Sequence, residues 1–284
     1  MKDYTKNKKN ERGKLSELIM ASLTYGAALA TFGVLFFLVL FIFVKGIPHI
    51  TPSLFSLSYN SENVSLTPAL IATMLATPMA LLITAPLGVF AAIYLTEYAK
   101  RGSRWVMLVR VTTEALSGIP SIVYGLFGSL FFVLFLGWGY SMLAGVFTLS
   151  IMILPLIIRS GEEALKAVPD AYREGAFGLG AGKLRTVFRI VLPSAMPGIL
   201  AGIILSIGRI VGETAALIYT AGTVAQIPTS PMQSARTLSV HMYALSTEGF
   251  HINESYATAV VLLFVVIVIN AASVKISRRI GGRS

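Results

Sequence analysis

The chain has 284 residues, of which 55% are hydrophobic and only 13% are charged, with a formal net charge of +10 and a mean hydropathy of +0.76. Soluble domains carry about 25% charged residues, so this composition excludes an ordinary soluble fold and predicts an integral membrane protein. Cysteine is absent, which excludes disulfides and thiolate-bound metals. The three histidines are scattered along the chain, and we predict no metal site.

The apolar residues fall into six runs long enough to cross a bilayer, because about 20 helical residues span a hydrocarbon core of about 30 Å. We therefore predict an all-α fold with six transmembrane helices. The predicted spans are residues 24–44, 68–95, 105–136, 142–158, 195–219 and 257–274. Residues 1–23 form a basic N-terminal segment ahead of a transmembrane domain covering 24–284. Pro78, Pro86 and Pro120 predict kinks, tilt or cytoplasmic extension in the second and third spans.

Lysine and arginine are distributed unevenly between the two sets of loops. They concentrate in residues 1–23, in the turn after span two, in the segment 159–193 and in the C-terminal tail. The opposite loops hold only Lys45 and Arg236. Because cytoplasmic loops carry the excess of basic residues, both termini are predicted to be cytoplasmic. This bias explains most of the net charge, so we expect contact with the lipid bilayer and none with nucleic acid.

The segment 159–193, between spans four and five, is the most informative polar region of the chain. Within it, Pro169 and Asp170 predict the start of a helix, with an acidic residue near the positive end of the helix dipole. Three glycines between residues 178 and 182 predict a turn, after which a second helix begins. The segment is therefore predicted to form a helix, a glycine turn and a helix at the cytoplasmic surface.

The run GLGAGK in this segment is similar to a phosphate-binding loop but lacks two of its essential residues. Phe177 stands where the first glycine of the motif belongs, and Leu184 stands where Ser or Thr would bind Mg²⁺. No buried strand precedes the run. We therefore predict that this chain does not bind ATP.

Span five contains two ionisable residues, Arg209 and Glu213, four positions apart. Residues i and i+4 share a helical face, so the two side chains are predicted to pair. Charges are costly in a bilayer, which predicts that this face lies against the bundle interior or a water-filled path. Two interpretations stay open: a substrate contact, or a structural ion pair that fixes helix register. Thr214 adds a hydroxyl, and Gly208 with Gly212 predicts close packing against a neighbouring helix.

Three more charged residues lie near the predicted inner ends of spans. Arg110 and Glu114 repeat the i, i+4 spacing close to Trp105, and we interpret them as a pair at the membrane interface. Arg159, at the inner end of span four, is in the first place a residue of the positive-inside bias.

The cytoplasmic segment resembles a signature of ABC-importer permeases, which reads E-A-A, three residues, G, nine residues and I-x-L-P. The signature positions fall on Glu174, Gly175, Ala176, Gly180, Ile190, Leu192 and Pro193. Gly175, in place of the first alanine, is the one departure. Three further stretches, 84–98, 116–127 and 209–222, resemble PstA-type permeases, which are subunits of bacterial importers of inorganic phosphate. This resemblance covers most of residues 68–222.

The resemblance implies the type I ABC importer permease fold in a bacterial cytoplasmic (inner) membrane. The chain would then be a transport subunit and no enzyme, and it would bind no cofactor, because ATP and Mg²⁺ would be held by a separate subunit. The implied partners are a second, PstC-like permease, two ATPase subunits and an extracytoplasmic phosphate-binding protein. The implied contacts with the ATPase come from Glu174, Gly175, Ala176, Gly180, Leu192 and Pro193.

The resemblance also implies that inorganic phosphate passes Arg209 and Glu213, with Thr214 and Arg159 as further contacts. A guanidinium suits this role because it binds phosphate oxygens through two N–H groups and keeps its charge. Three alternatives stay open: a PstC-like subunit, a permease for another oxyanion, and an ion-coupled secondary transporter. The last predicts an inverted repeat, which the sequence does not display, and it leaves the 174–193 signature without a role.

Overall fold

The computed structural model describes the backbone of residues 2–100 and 102–281, and the side chains of residues 17–100 and 102–275. Over these residues the chain is helical and contains no β-strand, which confirms the predicted all-α class. In the described part of the chain the helices are α1 (Lys2–Gly46), α2 (Thr67–Ile93), α3 (Arg104–Ser117), α4 (Ser121–Gly128), α5 (Met142–Lys166), α6 (Asp170–Gly178), α7 (Lys183–Thr186), α8 (Leu192–Val211), α9 (Ala215–Ile218), α10 (Leu238–Glu248) and α11 (Ile252–Gly281).

Five helical runs of the described chain are long and apolar enough to cross a membrane, and the bent pair α3–α4 makes a sixth when it is counted as one crossing. Wider π turns extend α2 to Tyr98 and α4 to Phe135, and another joins α7 to α8. The bend between α3 and α4 measures 101° and lies at residues 118–120. Pro120 lacks an N–H and keeps its preceding residue out of the α conformation, so the helix ends there. The predicted third span, 105–136, has the right position but is broken.

The predicted fifth span, 195–219, is wrong at its outer end, because α8 already ends at Val211. Gly212 is the C-cap residue, and the chain leaves the helical conformation before the short α9 begins at Ala215. Glycine is a poor helix former and allows the chain to turn at low cost. The first, second, fourth and sixth predicted spans lie within helical runs that are longer than predicted; α5, for example, continues to Lys166.

The bundle core forms where α5 packs between α2 and α8. Buried residues of α5 fill this core; they include Leu149, Met152, Ile153 and Ile157. A Cβ atom at Gly88 of α2 would lie 2.6 Å from Cγ2 of Ile157, and one at Gly198 of α8 would lie 2.7 Å from Cβ of Ala164. These small residues let the three helices approach closely, which is how membrane helices gain packing contacts.

Helix α1 lies at the edge of the bundle and packs against α11 near Gly46, where the backbone of Tyr256 occupies the space that a Cβ would need. Its residues 18–40 are exposed in the isolated chain, as expected of a lipid-facing helix. The predicted basic segment 1–23 is helical from Lys2 and continues into this span without a break. The side chains of residues 1–16 and 276–284, which include much of the predicted positive-inside charge, lie outside the described residues.

Candidate translocation path and coupling segment

Glu213 is buried beside the end of α8 and stabilises the start of α9. The residue is only 7% exposed, and Oε1 accepts a hydrogen bond of 3.1 Å from the backbone N–H of Ala216. Its carbonyl oxygen accepts a hydrogen bond from the hydroxyl of Ser239 in α10. A carboxylate that accepts an N–H in the first turn of a helix acts as a cap.

The predicted ion pair between Arg209 and Glu213 is wrong in this structure. Among the described residues, no carboxylate lies within 4.0 Å of Arg209, and Glu213 takes part in no salt bridge. The physical reason is the end of α8 at Val211, which removes the shared helical face that the i, i+4 spacing assumed. The interpretation of the two residues as a structural pair therefore loses its basis.

Arg209 is exposed on the last turn of α8 and lines a cavity of about 590 Å³. Leu205 and Gly208 of the same helix also line it, together with Leu156 of α5 and Asn270 of α11. Leu205 is 63% exposed, and no atom outside its own helix lies within 4 Å of a Cβ built on Gly208. Among the residues that the structure describes, the close packing predicted at Gly208 is therefore not made. This face of α8 carries a charge that needs water or a partner chain beside it.

The other predicted path residues lie in different cavities. Thr214 lines a mainly apolar cavity of about 550 Å³ with Tyr219 and Tyr243, and its hydroxyl donates to the carbonyl of Gly212 at 3.4 Å. Arg159 of α5 lines a third cavity with Arg110 and Glu114, and its Nε lies 3.0 Å from Oε1 of the exposed Glu163. The structure thus does not bring Arg209, Thr214 and Arg159 into one site.

The sequence predicted that Arg110 pairs with Glu114, but in the structure Arg110 pairs across the bundle with Glu162. Its Nε lies 3.1 Å from Oε2 of Glu162, and its guanidinium also donates to the carbonyl of Leu95. Glu162 is buried and accepts a second charged hydrogen bond, of 2.6 Å, from Lys166. The sequence separation of 52 residues between Arg110 and Glu162 gives no local signal of this contact.

The predicted coupling segment has the predicted helix–turn–helix form. Helix α6 begins at Asp170 directly after Pro169, and the turn that follows contains Gly180 with φ +80°. Leu179, in the same turn, is 91% exposed, so the tip of the segment presents an apolar side chain to the outside. A positive φ is the reason for glycine at this position, because a side chain there is strained.

The signature residues divide into an exposed and a packed group. Glu174 and Gly175 are exposed on α6, and a Cβ built on Gly175 or on Gly180 would meet no atom within 4 Å. Ala176 is buried. Leu192, at the start of α8 beside the half-buried Pro193, packs against a cluster of buried apolar side chains that includes Ile93 and Leu165. The exposed group is open to a partner, and the packed group fixes the segment to the bundle.

Arg173 anchors α6 to the bundle and was not identified from the sequence. Its guanidinium donates to Glu97 at the end of α2, with Nη2 2.7 Å from Oε1, and also to Asp170 and to the carbonyls of Leu165 and Val168. The side chains of Arg173 and Glu97 are 15% and 9% exposed. The hydrogen bond to Glu97 is the main cause that raises the pKa of the Arg173 guanidinium, so it stays charged.

A second charged cluster, outside the predicted spans, ties the loop after α9 to α10 and to the loop before α2. The buried Arg236 donates to the carbonyl of Thr223 at 2.7 Å and to Nδ1 of His241 at 3.2 Å, and its guanidinium lies 5.3 Å from the ring centre of Tyr59. Nε2 of His241 donates to the carbonyl of Val64, which fixes the neutral tautomer. Burial is the main cause that lowers the pKa of His241 to about 4, and the charge of Arg236 adds to it.

These features define an integral membrane transport subunit: a bundle of membrane helices, a charged residue on an open intramembrane face, and an exposed helix–turn–helix for a partner. The chain matches the family model of the binding-protein-dependent transport system inner membrane component over residues 84–282. It therefore belongs to this family of ABC transporter permeases, multi-pass proteins of the inner membrane whose ATPase is a separate subunit.

Relatives and solved structures agree with this assignment. The chain is 38% identical over 210 residues to the “Probable ABC transporter permease protein YqgI” of Bacillus subtilis, covering 68% of this chain and 71% of that protein. It is 36% identical over 211 residues to the phosphate transport system permease protein PstA 1 of Mycobacterium tuberculosis, covering 73% and 69%. A permease chain in the crystal structure of a bacterial alginate ABC transporter aligns with a TM-score of 0.66 at 17% identity, covering 91% and 95%. The fold is that of type I ABC importer permeases.

Proposed function

We propose that this chain is the PstA-type permease of an ATP-driven importer of inorganic phosphate, and that Arg209 contacts the anion on its path. The observation that carries the proposal is the position of Arg209 on an open, otherwise mainly apolar face of α8, with no carboxylate of the described residues within 4.0 Å. Relatives that are 36–41% identical to the chain and named as PstA phosphate permeases support phosphate as the cargo.

The chemistry of the cargo fits a lone arginine. Phosphate carries one or two negative charges near neutral pH, and an apolar path would exclude it without a compensating charge. The guanidinium of Arg209 presents two parallel N–H donors to phosphate oxygens. The carboxylate of Glu213 accepts a hydrogen bond from the N-terminus of α9, so it does not compete for the arginine in this conformation.

The partners follow from the two open surfaces. The face of α8 around Leu205, Gly208 and Arg209 is proposed to meet a second, PstC-like permease, so that the path forms between the two chains. The exposed tip around Leu179 and Gly180 is proposed to dock on one of two ATPase subunits, which hold ATP and Mg²⁺. An extracytoplasmic phosphate-binding protein would deliver the anion on the other side.

The test is Arg209→Gln, which keeps length and some hydrogen bonding but removes the charge. Because Arg209 neutralises no carboxylate within the described structure, complex yield should stay near wild type, while phosphate uptake by whole cells should fall at least about tenfold, as for loss of a charged hydrogen bond of about 1.5–3 kcal/mol. Arg104→Gln removes the same charge from an exposed site on α3 and should leave uptake unchanged. Wild-type uptake by the Arg209 variant would overturn the proposal.

A further inference from the structure

The cavity beside Arg209 contains a second polar side chain to which the sequence assigned no role. Asn270 of α11 lines this cavity, and its Oδ1 is buried without a hydrogen-bond partner in the described structure. The remaining residues that line the cavity are leucine, isoleucine, alanine or glycine. Arg209 and Asn270 are thus its only described polar side chains, and they come from different helices.

The unpaired state of Asn270 calls for a physical explanation. Buried polar side-chain atoms in native proteins nearly always have a partner, because an unpaired acceptor has lost its water without gaining a hydrogen bond. Asn270 makes no hydrogen bond to Arg209, although both line the same cavity. By contrast, Thr258 of the same helix satisfies its buried hydroxyl within α11, by donating to the carbonyl of Glu254 at 2.8 Å. A donor in the cavity reaches this shielded oxygen when rotation about the terminal bond of the amide turns it toward the cavity.

We propose that Asn270 is a second contact for the transported oxyanion and selects phosphate over sulfate by accepting a hydrogen bond from its P–OH group. This inference rests on the proposed function. The amide carries one acceptor and one donor group, and rotation about its terminal bond exchanges their positions at low cost. Arg209 supplies charge and N–H donors but no acceptor, so Asn270 supplies the one group that the arginine lacks.

The difference between the two anions is a proton. Phosphate near neutral pH keeps at least one P–OH group and so can donate, and arsenate does the same. Sulfate is fully ionised and can only accept. A site that leaves a buried acceptor unpaired rejects the ligand that lacks the matching donor. Arg209 alone would bind both anions, whereas Arg209 with Asn270 would favour the protonated ones.

The test measures binding of labelled phosphate and labelled sulfate to the purified permease–ATPase complex, without the extracytoplasmic binding protein, whose own selectivity would mask the effect. Asn270→Leu should weaken phosphate binding about tenfold and leave sulfate binding unchanged, so that the selectivity ratio falls about tenfold, the effect of one hydrogen bond. Asn270→Ala, which is smaller, serves if the leucine variant does not assemble. Thr258→Val is the matched control, because it removes a polar group of α11 whose hydrogen bond stays within the helix.

Two outcomes separate the inference from the proposed function. An unchanged phosphate-to-sulfate ratio in an assembled Asn270 variant overturns the inference, and so does loss of assembly in both variants, which would make Asn270 a packing residue. In either case Arg209→Gln would still abolish phosphate binding if the proposed function holds. Full phosphate binding and uptake by Arg209→Gln would instead remove the proposed function together with the inference.

Discussion

Arg173→Met removes the anchor of the coupling helix while keeping an unbranched side chain of similar length. In the structure the guanidinium neutralises Glu97 and satisfies the carbonyls of Leu165 and Val168. The substitution leaves a carboxylate that is 9% exposed without its counter-ion and two carbonyls without their donor. The helix α6 would lose its only described ion pair with α2.

The magnitude follows from the burial of the pair. Removing one partner of a buried ion pair costs about 3–5 kcal/mol, because the remaining charge is left desolvated. Glu97 lies at the end of α2 and can recover some water, so we expect about 3 kcal/mol, near the lower limit. If this energy holds α6 on the bundle, its opening equilibrium rises by about two orders of magnitude.

The assay has two readouts on the reconstituted complex. Amide hydrogen exchange of α6 should accelerate by about two orders of magnitude, and ATP hydrolysis should lose its stimulation by the loaded binding protein. Asp170→Asn is the control, because Asp170 contacts the same arginine but is 73% exposed, and an exposed pair contributes at most about 1 kcal/mol. The double variant Glu97→Met with Arg173→Met removes the stranded charge and should restore most of the protection.

Wild-type exchange of α6 in Arg173→Met would refute this reasoning, since it would mean that the pair does not hold the helix. Fast amide exchange of α6 with normal stimulation of ATP hydrolysis would support the role of Arg173 as an anchor but contradict its link to the ATPase. An Asp170→Asn variant as impaired as Arg173→Met would show that burial of Glu97 is not the source of the effect.

Two further predictions concern the turn of the proposed coupling segment and the charged cluster of Arg236 and His241. Gly180→Val should cost about 1–2 kcal/mol, because the residue has φ +80°, and it should reduce stimulated ATP hydrolysis. Gly178→Ala is the control, because Gly178 is at a helical position with open space around it, and it should leave ATP hydrolysis unchanged. Equal activity of the two variants would contradict the role of the turn. His241 has a folded-state pKa of about 4 against an ordinary 6.5, so the unfolded chain binds the extra proton between these values and stability falls as pH drops from 6.5 to 4. The control is His241→Gln, which keeps a donor and an acceptor. Relative to it, the wild-type complex should lose up to about 3 kcal/mol of unfolding free energy between about pH 6.5 and about pH 4, measured by thermal unfolding. Parallel curves of stability against pH for the two proteins would contradict the neutral buried state of His241.

The coupling segment was predictable because its signals are local. A proline before α6, an acidic residue in its first turn and the glycine at φ +80° each act on the few residues beside them. The helix–turn–helix was therefore predicted correctly, including its position between spans. Its anchor was not, because Glu97 and Arg173 are 76 residues apart and meet only when α2, α5 and α6 pack.

The sequence by itself determined the class of this protein, its six candidate spans and the position of the helix–turn–helix proposed to couple to the ATPase, since hydrophobic run length and turn chemistry act over about 20 residues or fewer. Only the tertiary structure decided which charges meet. A spacing of four residues predicts a pair only if the helix continues, and α8 stops at Val211. Glu213 therefore caps α9, and Arg209 lines the cavity with Asn270 and without a carboxylate partner among the described residues. Arg110 likewise pairs with the buried Glu162 and not with the exposed Glu114 at i+4, because a buried carboxylate gains more from a counter-ion than an exposed one does.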